Sequence, residues 1–142
     1  MLERIEWITI GKKVYPMCFS IGARKRIEEA YESIPKFLEC CKDDDRYIEA
    51  YLTGLEILIR YGCMRLNTLG DGELIENGAF NTSGTWIPIN REELEVLIVQ
   101  GQLAEIGAKI IATLNKAAEK EIKATPTKET RKNSKAAPEA TD

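Results

Sequence analysis

The segment from Arg46 to about Leu69 constrains the fold more than any other part of this chain, because it is the longest and most apolar one. Its apolar residues recur at helical spacing, which predicts a single helix. At about 100° per residue, one broad stripe contains Ile48, Tyr51, Leu52, Leu55, Ile59, Gly62 and Leu66. A second patch, on nearly the opposite side, contains Ala50, Ile57, Tyr61 and Met64. A helix that is apolar on two sides is either central to its own domain or covered by a partner.

Both interpretations of this helix stay open at the level of sequence. Central packing is favoured, because a chain of 142 residues has few other elements to build a core. If the second patch is exposed instead, it is a surface for self-association or for a client protein. Its candidate partner-binding residues are then Ile57, Tyr61 and Met64.

The N-terminal region predicts a β-hairpin. Alternating apolar residues predict strands at Ile5–Ile10 and Val14–Phe19. Between them, Gly11-Lys12 suits a two-residue turn, because glycine readily adopts the positive φ of the first central position. Pro16 removes a backbone donor from the second strand, which indicates an edge position. Two strands alone are marginally stable, so the hairpin must pack on the helices that follow.

Two shorter helices are predicted between the hairpin and the long helix. Ser20 stands where an N-cap would, before a helix from about Ile21 to Ser33, and Pro35 to Lys42 forms the next one. Asp43-Asp44-Asp45 then offers two interpretations, a metal site or an acidic N-cap of the long helix. The cap is favoured, since no loop with calcium-binding spacing surrounds these carboxylates.

The second half of the chain contains an irregular region and two further helices. Between Gly70 and Asn90, Leu74-Ile75 and Thr85–Ile87 are candidates for a second small hairpin. Asn90 with Glu93 predicts a capping box, and Leu94, Leu97 and Ile98 the inward face of a short helix. A final amphipathic helix follows and fades near Ile122.

The composition changes sharply at Ala124. Residues 124–142 contain no large apolar side chain and are rich in Thr, Lys, Pro and Ala, which predicts a disordered polar tail. The predicted architecture is therefore α+β: a mostly helical single domain with a short N-terminal hairpin over residues 1–123, followed by the disordered tail at 124–142.

Composition lowers the expectation of enzymatic activity. The chain contains no histidine, which removes the commonest general base and the commonest metal ligand. Its four cysteines, Cys18, Cys40, Cys41 and Cys63, form no C-x-x-C pair and are expected to be reduced, buried thiols. We therefore predict no enzyme, no catalytic residues, no cofactor and no metal site.

Charge and hydropathy also bear on the expected partners and location. The net charge is −3, so nothing in the composition indicates the basic stripe that nucleic-acid-binding proteins usually carry. No apolar run approaches the ~20 residues that span a bilayer, and the first residues do not resemble a signal peptide. The sequence thus predicts a cytoplasmic protein that binds neither nucleic acid nor membrane.

The segment from Ile8 to Tyr31, ITIGKKVYPMCFSIGARKRIEEAY, resembles the start of the tail assembly chaperones of long-tailed (siphovirus-type) phages and prophages. In that family a short hairpin precedes a helix with the pattern F-x-x-GA-x-x-x-IEE. The matching residues are Ile8, Ile10, Gly11, Lys12, Tyr15, Phe19, Gly22, Ala23, Ile27, Glu28 and Glu29. The long apolar middle helix and the two-helix ending are similar as well, while the loop from Gly72 to Trp86 is longer than in the family.

The resemblance implies a non-enzymatic role in virion morphogenesis. Such chaperones keep the tape measure protein soluble and recruit tail tube subunits in the cytoplasm of the bacterial host, and they are absent from the mature virion. Many also exist as a longer form made by ribosomal frameshifting, and a homo-oligomer is compatible with this role. The main alternative is a small adaptor or regulatory subunit of a bacterial protein complex. An enzyme using Asp43–Asp45 or Cys63, and a helix-turn-helix DNA-binding protein, are the weaker alternatives.

Overall fold

The computed structural model describes residues 4–70 and 74–124, with side chains described as far as residue 117. The described chain is mostly helical and opens with a two-stranded antiparallel hairpin, as the sequence predicts. The strands are β1 (Glu6–Ile10) and β2 (Lys13–Met17), and the helices are α1 (Ile21–Tyr31), α2 (Ile34–Cys41), α3 (Tyr47–Leu69), α4 (Arg91–Leu97) and α5 (Leu103–Ala124). A short 3-10 turn at Gln100–Gln102 separates α4 from α5. The predicted disordered tail, apart from Ala124 at the end of α5, lies outside the described residues.

The hairpin has the predicted two-residue turn. Gly11 adopts a φ of 64°, a left-handed conformation that glycine takes without steric cost. The register pairs Ile10 with Lys13 and Glu6 with Met17, so the loop consists of Gly11 and Lys12 alone. Ile8 and Ile10 point into the core, where each is at most 2% exposed. The apolar alternation of the strand therefore attaches the hairpin to the helices.

Helix α3 is the centre of the fold, which confirms the favoured interpretation of its two apolar sides. It packs against β2, α1, α2, α4 and α5. Two of its glycines mark the closest approaches, because a side chain at Gly54 would collide with the Phe37 ring and one at Gly62 with the backbone of Pro16 and Met17. The buried residues of α3 cover both predicted sides: Ala50, Leu52, Gly54, Leu55, Ile57, Leu58, Ile59, Gly62, Cys63 and Leu66.

Two of the predicted helix caps are confirmed and one is wrong. Ser20 accepts a hydrogen bond from the Ala23 N–H, and Asn90 and Glu93 form the reciprocal capping box. The exception is α3, whose N-cap Arg46 makes no side-chain cap bond, so the predicted acidic cap is wrong. Asp43 instead accepts a 2.8 Å bond from the Asp45 N–H, which closes an Asx turn, and Asp43 stands three residues before the N-cap position.

The irregular region between α3 and α4 does not form the second hairpin suggested for Leu74-Ile75 and Thr85–Ile87. Residue 78 bridges to Val14 of β2, and Phe80 bridges to Trp86. Asn67 of α3 holds this loop by accepting a bond from the Trp86 N–H at 2.9 Å and donating one to the Trp86 carbonyl at 3.0 Å. One side-chain amide therefore satisfies the backbone groups that a neighbouring strand would have satisfied.

Helix α5 covers the hairpin on its core-facing side. Lys109 and Lys116 both form ion pairs with Glu6 of β1, at 3.2 and 3.1 Å. Burial opposes ionisation of Glu6, but the hydrogen bonds and charges of the two lysines outweigh burial and lower its pKa. The two ion pairs join α5 to β1 at Glu6.

Candidate protein-binding surfaces

The three predicted partner-binding residues occupy different environments. Ile57 is only 8% exposed and belongs to the core, so the alternative that places it on an exposed partner-binding patch is wrong. Tyr61 is half-buried because its ring packs against Gly22 of α1, where no side chain intervenes. Met64, one turn further along α3, is 49% exposed. Only the C-terminal part of the predicted patch reaches the surface.

Tyr61 and Met64 share a shallow depression of about 260 Å³ beside the start of α1. Leu69, 41% exposed, extends its apolar lining toward the end of α3. The remaining walls are Ser20, Arg65 and Thr68. The depression has room for one apolar side chain of a partner rather than for a helix.

A larger apolar groove of about 500 Å³ opens between α2, α3 and α5, and we call it the α2–α5 groove. Its α2 and α3 walls are apolar or aromatic, and half of the residues on its α5 wall are small. Lys42 and Asn115 supply polar groups. The lining residues are Leu38, Cys41, Lys42, Tyr51, Gly107, Ala108, Ile110, Ile111, Ala112 and Asn115.

Two features of the groove determine what it can accept. Gly107 lets the Tyr51 hydroxyl lie directly against α5, because a Cβ at this position would collide with it. Ile111 remains 41% exposed, so apolar surface is open to a ligand. A concave apolar surface lined by small residues allows the close approach of an apolar helix, as in helix-in-groove recognition.

Sequence reasoning missed this groove. The sequence places Gly107, Ile110 and Ile111 on an amphipathic final helix, but periodicity gives no information on which other helix stands beside them. The available signal was the pair Ala108 and Ala112, which puts two small residues one turn apart beside an isoleucine. That signal becomes specific only after α2 and α3 are placed in three dimensions.

Cys18 and Cys63 are buried, as predicted, whereas Cys40 and Cys41 are only partly buried. Burial raises the pKa of Cys63 to about 12. Burial, with a smaller effect from neighbouring Cys40, raises the pKa of Cys41 to about 11. Burial also raises the pKa of Cys18 despite two nearby arginines. At neutral pH these thiols are protonated, and Cys41 therefore presents a neutral surface to the α2–α5 groove.

A second concave surface, between α1, α2 and the turn before α3, is polar. It measures about 410 Å³ and is lined by residues that already pair with one another. Lys36 forms an ion pair with Glu32 at 2.7 Å, and the pKa of Arg46 is raised by its hydrogen bond with Cys40 and by the charge of Asp43. These internal pairs leave the crevice a weaker candidate for ligand binding than the apolar groove.

Within residues 4–70 and 74–124, no three His, Cys, Asp or Glu side chains stand close enough to hold a metal ion. The same stretch contains no single helix that is long and apolar enough to cross a membrane. The segments Arg91–Leu97 and Gln100–Ala117 reach the required length and hydropathy only when they are taken together, and the chain bends by 103° between them.

Comparison with known proteins adds no relative from which a function could be transferred. No protein family, no curated protein and no solved structure matches this chain. Function is therefore inferred from the apolar surfaces and from the resemblance of the N-terminal segment.

Proposed function

We propose that this protein is a non-enzymatic tail assembly chaperone of a long-tailed phage or prophage. It binds an apolar helical segment of the tape measure protein in the α2–α5 groove and so keeps that segment soluble until the tail tube is built. The observation that carries the proposal is the groove itself, an open concavity of about 500 Å³ with a mainly apolar lining. An exposed apolar concavity of this kind marks an interaction site in a soluble protein.

The composition of the groove suits a transient client. Ala108 and Ala112 allow a client helix to approach closely, and Ile111 offers it apolar contact. A single cation, Lys42, stands at the α2 end, where it can meet the negative end of the client's helix dipole. The groove offers few hydrogen-bonding groups that would select one client sequence. Different apolar helices along a long client protein therefore fit the same site.

The depression at Tyr61 and Met64 supplies a second, smaller contact in this proposal. Its separation from the groove allows tail tube subunits and the tape measure protein to be held together during assembly. Tyr61 and Met64 thus stay predicted partner-binding residues, while Ile57 supports them from the core. The proposed chaperone acts in the host cytoplasm, uses no cofactor, binds neither nucleic acid nor membrane, and leaves before the virion is complete.

The direct test places a charge in the α2–α5 groove. Ala108→Glu is expected to lower the amount of co-purified tape measure protein about tenfold or more, because an apolar client would remove the new carboxylate from water, which costs several kcal/mol. The measurement is co-expression with the tape measure protein of the same phage or prophage genome, followed by affinity purification and quantitative immunoblotting.

Ala104→Glu is the matched control for this variant. Ala104 is exposed on the same helix but does not line the groove, and an acidic residue in the first turn of a helix is favourable. It is expected to retain wild-type binding. Equal binding by both variants would exclude the groove as the client site. A stable one-to-one complex with a folded bacterial protein, and none with the tape measure protein, would favour the adaptor alternative instead.

A second prediction concerns the product of the gene. Expression with its native downstream DNA is expected to yield a minor, longer band beside the 142-residue product. Such a band is expected because the family commonly makes an extended form by ribosomal frameshifting. An immunoblot against the helical domain detects both forms, and deletion of the downstream DNA should remove only the longer one.

A further inference from the structure

The two outer edges of the hairpin differ in whether other parts of the fold form hydrogen bonds with them. In a hairpin with a two-residue turn, hydrogen-bonded and non-hydrogen-bonded pairs alternate from the turn outward. The backbone groups of Val14 and Pro16 therefore point away from β1, and those of Trp7 and Thr9 point away from β2. These four residues define the outer edges of the two strands.

The β2 edge is closed. The Val14 N–H donates to the Asn77 carbonyl at 2.8 Å, and the Val14 carbonyl accepts from the Ala79 N–H at 3.0 Å. Pro16 has no N–H to offer, and its carbonyl lies against Gly62 of α3. No partner strand can add to this edge.

The β1 edge is open. Within residues 4–70 and 74–124, no backbone group outside the hairpin pairs with the backbone of Trp7 or Thr9. Thr9 is exposed, and the Trp7 ring is half-buried against Trp86 at a centroid distance of 5.7 Å. An open edge with exposed side chains is a template for an additional strand.

The charges around β1 identify the kind of strand that fits. In the sequence, Arg4 stands two residues before β1 and Lys12 two residues after it, while Lys116 of α5 donates to the Ile5 carbonyl at the base of the strand. Glu6, the acidic residue of β1, is already paired with the two lysines of α5. The chain carries a net charge of −3, yet a basic residue stands within two positions of each end of β1 in the sequence. We propose that β1 binds an extended, acidic segment of a partner protein by strand addition.

Two other occupants fit these charges less well. In the antiparallel register that overlaps the whole of β1 in two copies, the pairing is centred on Ile8, and Arg4 of one copy stands opposite Lys12 of the other. The segment of this chain beyond α5, if it were the occupant, would bring further positive charge to the same edge. Its residues 128–135 include Glu129 but also Lys128, Arg131, Lys132 and Lys135. An acidic strand from a different protein is therefore the complementary ligand, whichever function the α2–α5 groove serves.

The test uses a synthetic peptide that lies opposite residues 4–12, with alternating Val and Thr and a Glu at each end. Amide hydrogen exchange is followed by NMR. Saturating peptide is expected to slow exchange at Trp7 and Thr9 about tenfold or more, the effect of one or two added hydrogen bonds. A peptide with Lys at both ends should bind about tenfold more weakly, because it repels both flanking cations.

Matched variants separate backbone pairing from side-chain contact. Thr9→Pro removes the outward N–H, and the fold should tolerate it because Pro16 occupies an outward-facing position in β2. It is expected to abolish peptide binding, whereas Thr9→Val, which keeps the N–H, retains it. Should Thr9→Pro fail to fold, a peptide N-methylated at the residues opposite Trp7 and Thr9 performs the same test on the unmodified protein, and loss of binding is again the expected result.

Three results would overturn the proposal. One is protection of Trp7 and Thr9 in the protein alone. Another is protection that increases with protein concentration, which would assign the edge to a second copy. The last is equal binding of the acidic and lysine peptides. None of these outcomes bears on Ala108 in the groove, so failure here and failure of the proposed chaperone function are distinguishable.

Discussion

Replacement of Gly62 by alanine is expected to lower the free energy of unfolding by about 3 kcal/mol. A Cβ at this position would lie 2.5 Å from the Pro16 carbonyl carbon and 2.9 Å from the Met17 nitrogen, and would collide with the Pro16 oxygen. These are backbone atoms and cannot rotate away, so either α3 or β2 must move. The better helix propensity of alanine, about 1 kcal/mol, offsets only part of this loss. Urea unfolding followed by far-UV circular dichroism measures the change.

Gly101→Ala is the control for this substitution. A Cβ at Gly101 meets no atom within 4 Å, and the residue does not adopt a positive φ. It should leave stability unchanged or raise it by about 0.5 kcal/mol, through the lower entropy of the unfolded chain. If Gly62→Ala were as stable as Gly101→Ala, α3 could not lie directly on the β2 backbone as described.

Replacement of Phe37 by alanine has the second large expected effect, a loss of about 3 to 5 kcal/mol. Phe37 is completely buried, packs against the Tyr31 ring at 5.3 Å and fills the space that Gly54 leaves open. The neighbouring chain atoms can collapse only partly into the vacated volume, so a cavity remains. The same urea titration gives the magnitude, and a shift in the midpoint without a change in slope would confirm a pure stability effect.

Val96→Ala provides the comparison for Phe37→Ala. Val96 is 79% exposed on α4, and its truncation should change stability by less than about 0.5 kcal/mol. Similar losses for the two variants would contradict the placement of Phe37 in the core. Because Ile110 of the groove stands close to the same Gly54, Phe37→Ala should also weaken client binding, whereas Val96→Ala should not.

Local features of this fold could be predicted from the sequence. Ser20 and the pair of Asn90 and Glu93 cap helices where expected, because capping depends on residues at most three positions apart. Gly11 forms the turn for the same reason. The central position of α3 was also accessible, since a helix with two apolar sides must bury both.

Contacts between distant segments could not be predicted. The loop before α4 is held by Asn67, 19 residues away from Trp86, and no periodicity points to an amide that replaces a strand. The Asp43 turn likewise depends on a geometry that three adjacent acids do not specify. In both places a side chain satisfies backbone groups that sequence patterns assign to regular structure.

In the candidate binding surfaces, too, the local features could be predicted from the sequence and the contacts between distant segments could not. Helical spacing correctly predicts that Ile57, Tyr61 and Met64 share one side of α3. It does not predict how far the neighbouring elements extend along that side. Coverage is complete at Ile57, partial at Tyr61 and slight at Met64. The α2–α5 groove was out of reach, because it exists only where three helices meet.

The packing of Trp7 against Trp86 gives this protein a built-in optical probe. These are its two tryptophans, and they are each other's neighbours, with Phe80 edge-on to Trp86 at 5.0 Å. Intrinsic tryptophan fluorescence therefore reports on one contact, between the hairpin and the loop that Asn67 holds, while circular dichroism reports on the helices. An emission change that precedes the loss of helical signal would show the loop detaching from a core that is still folded.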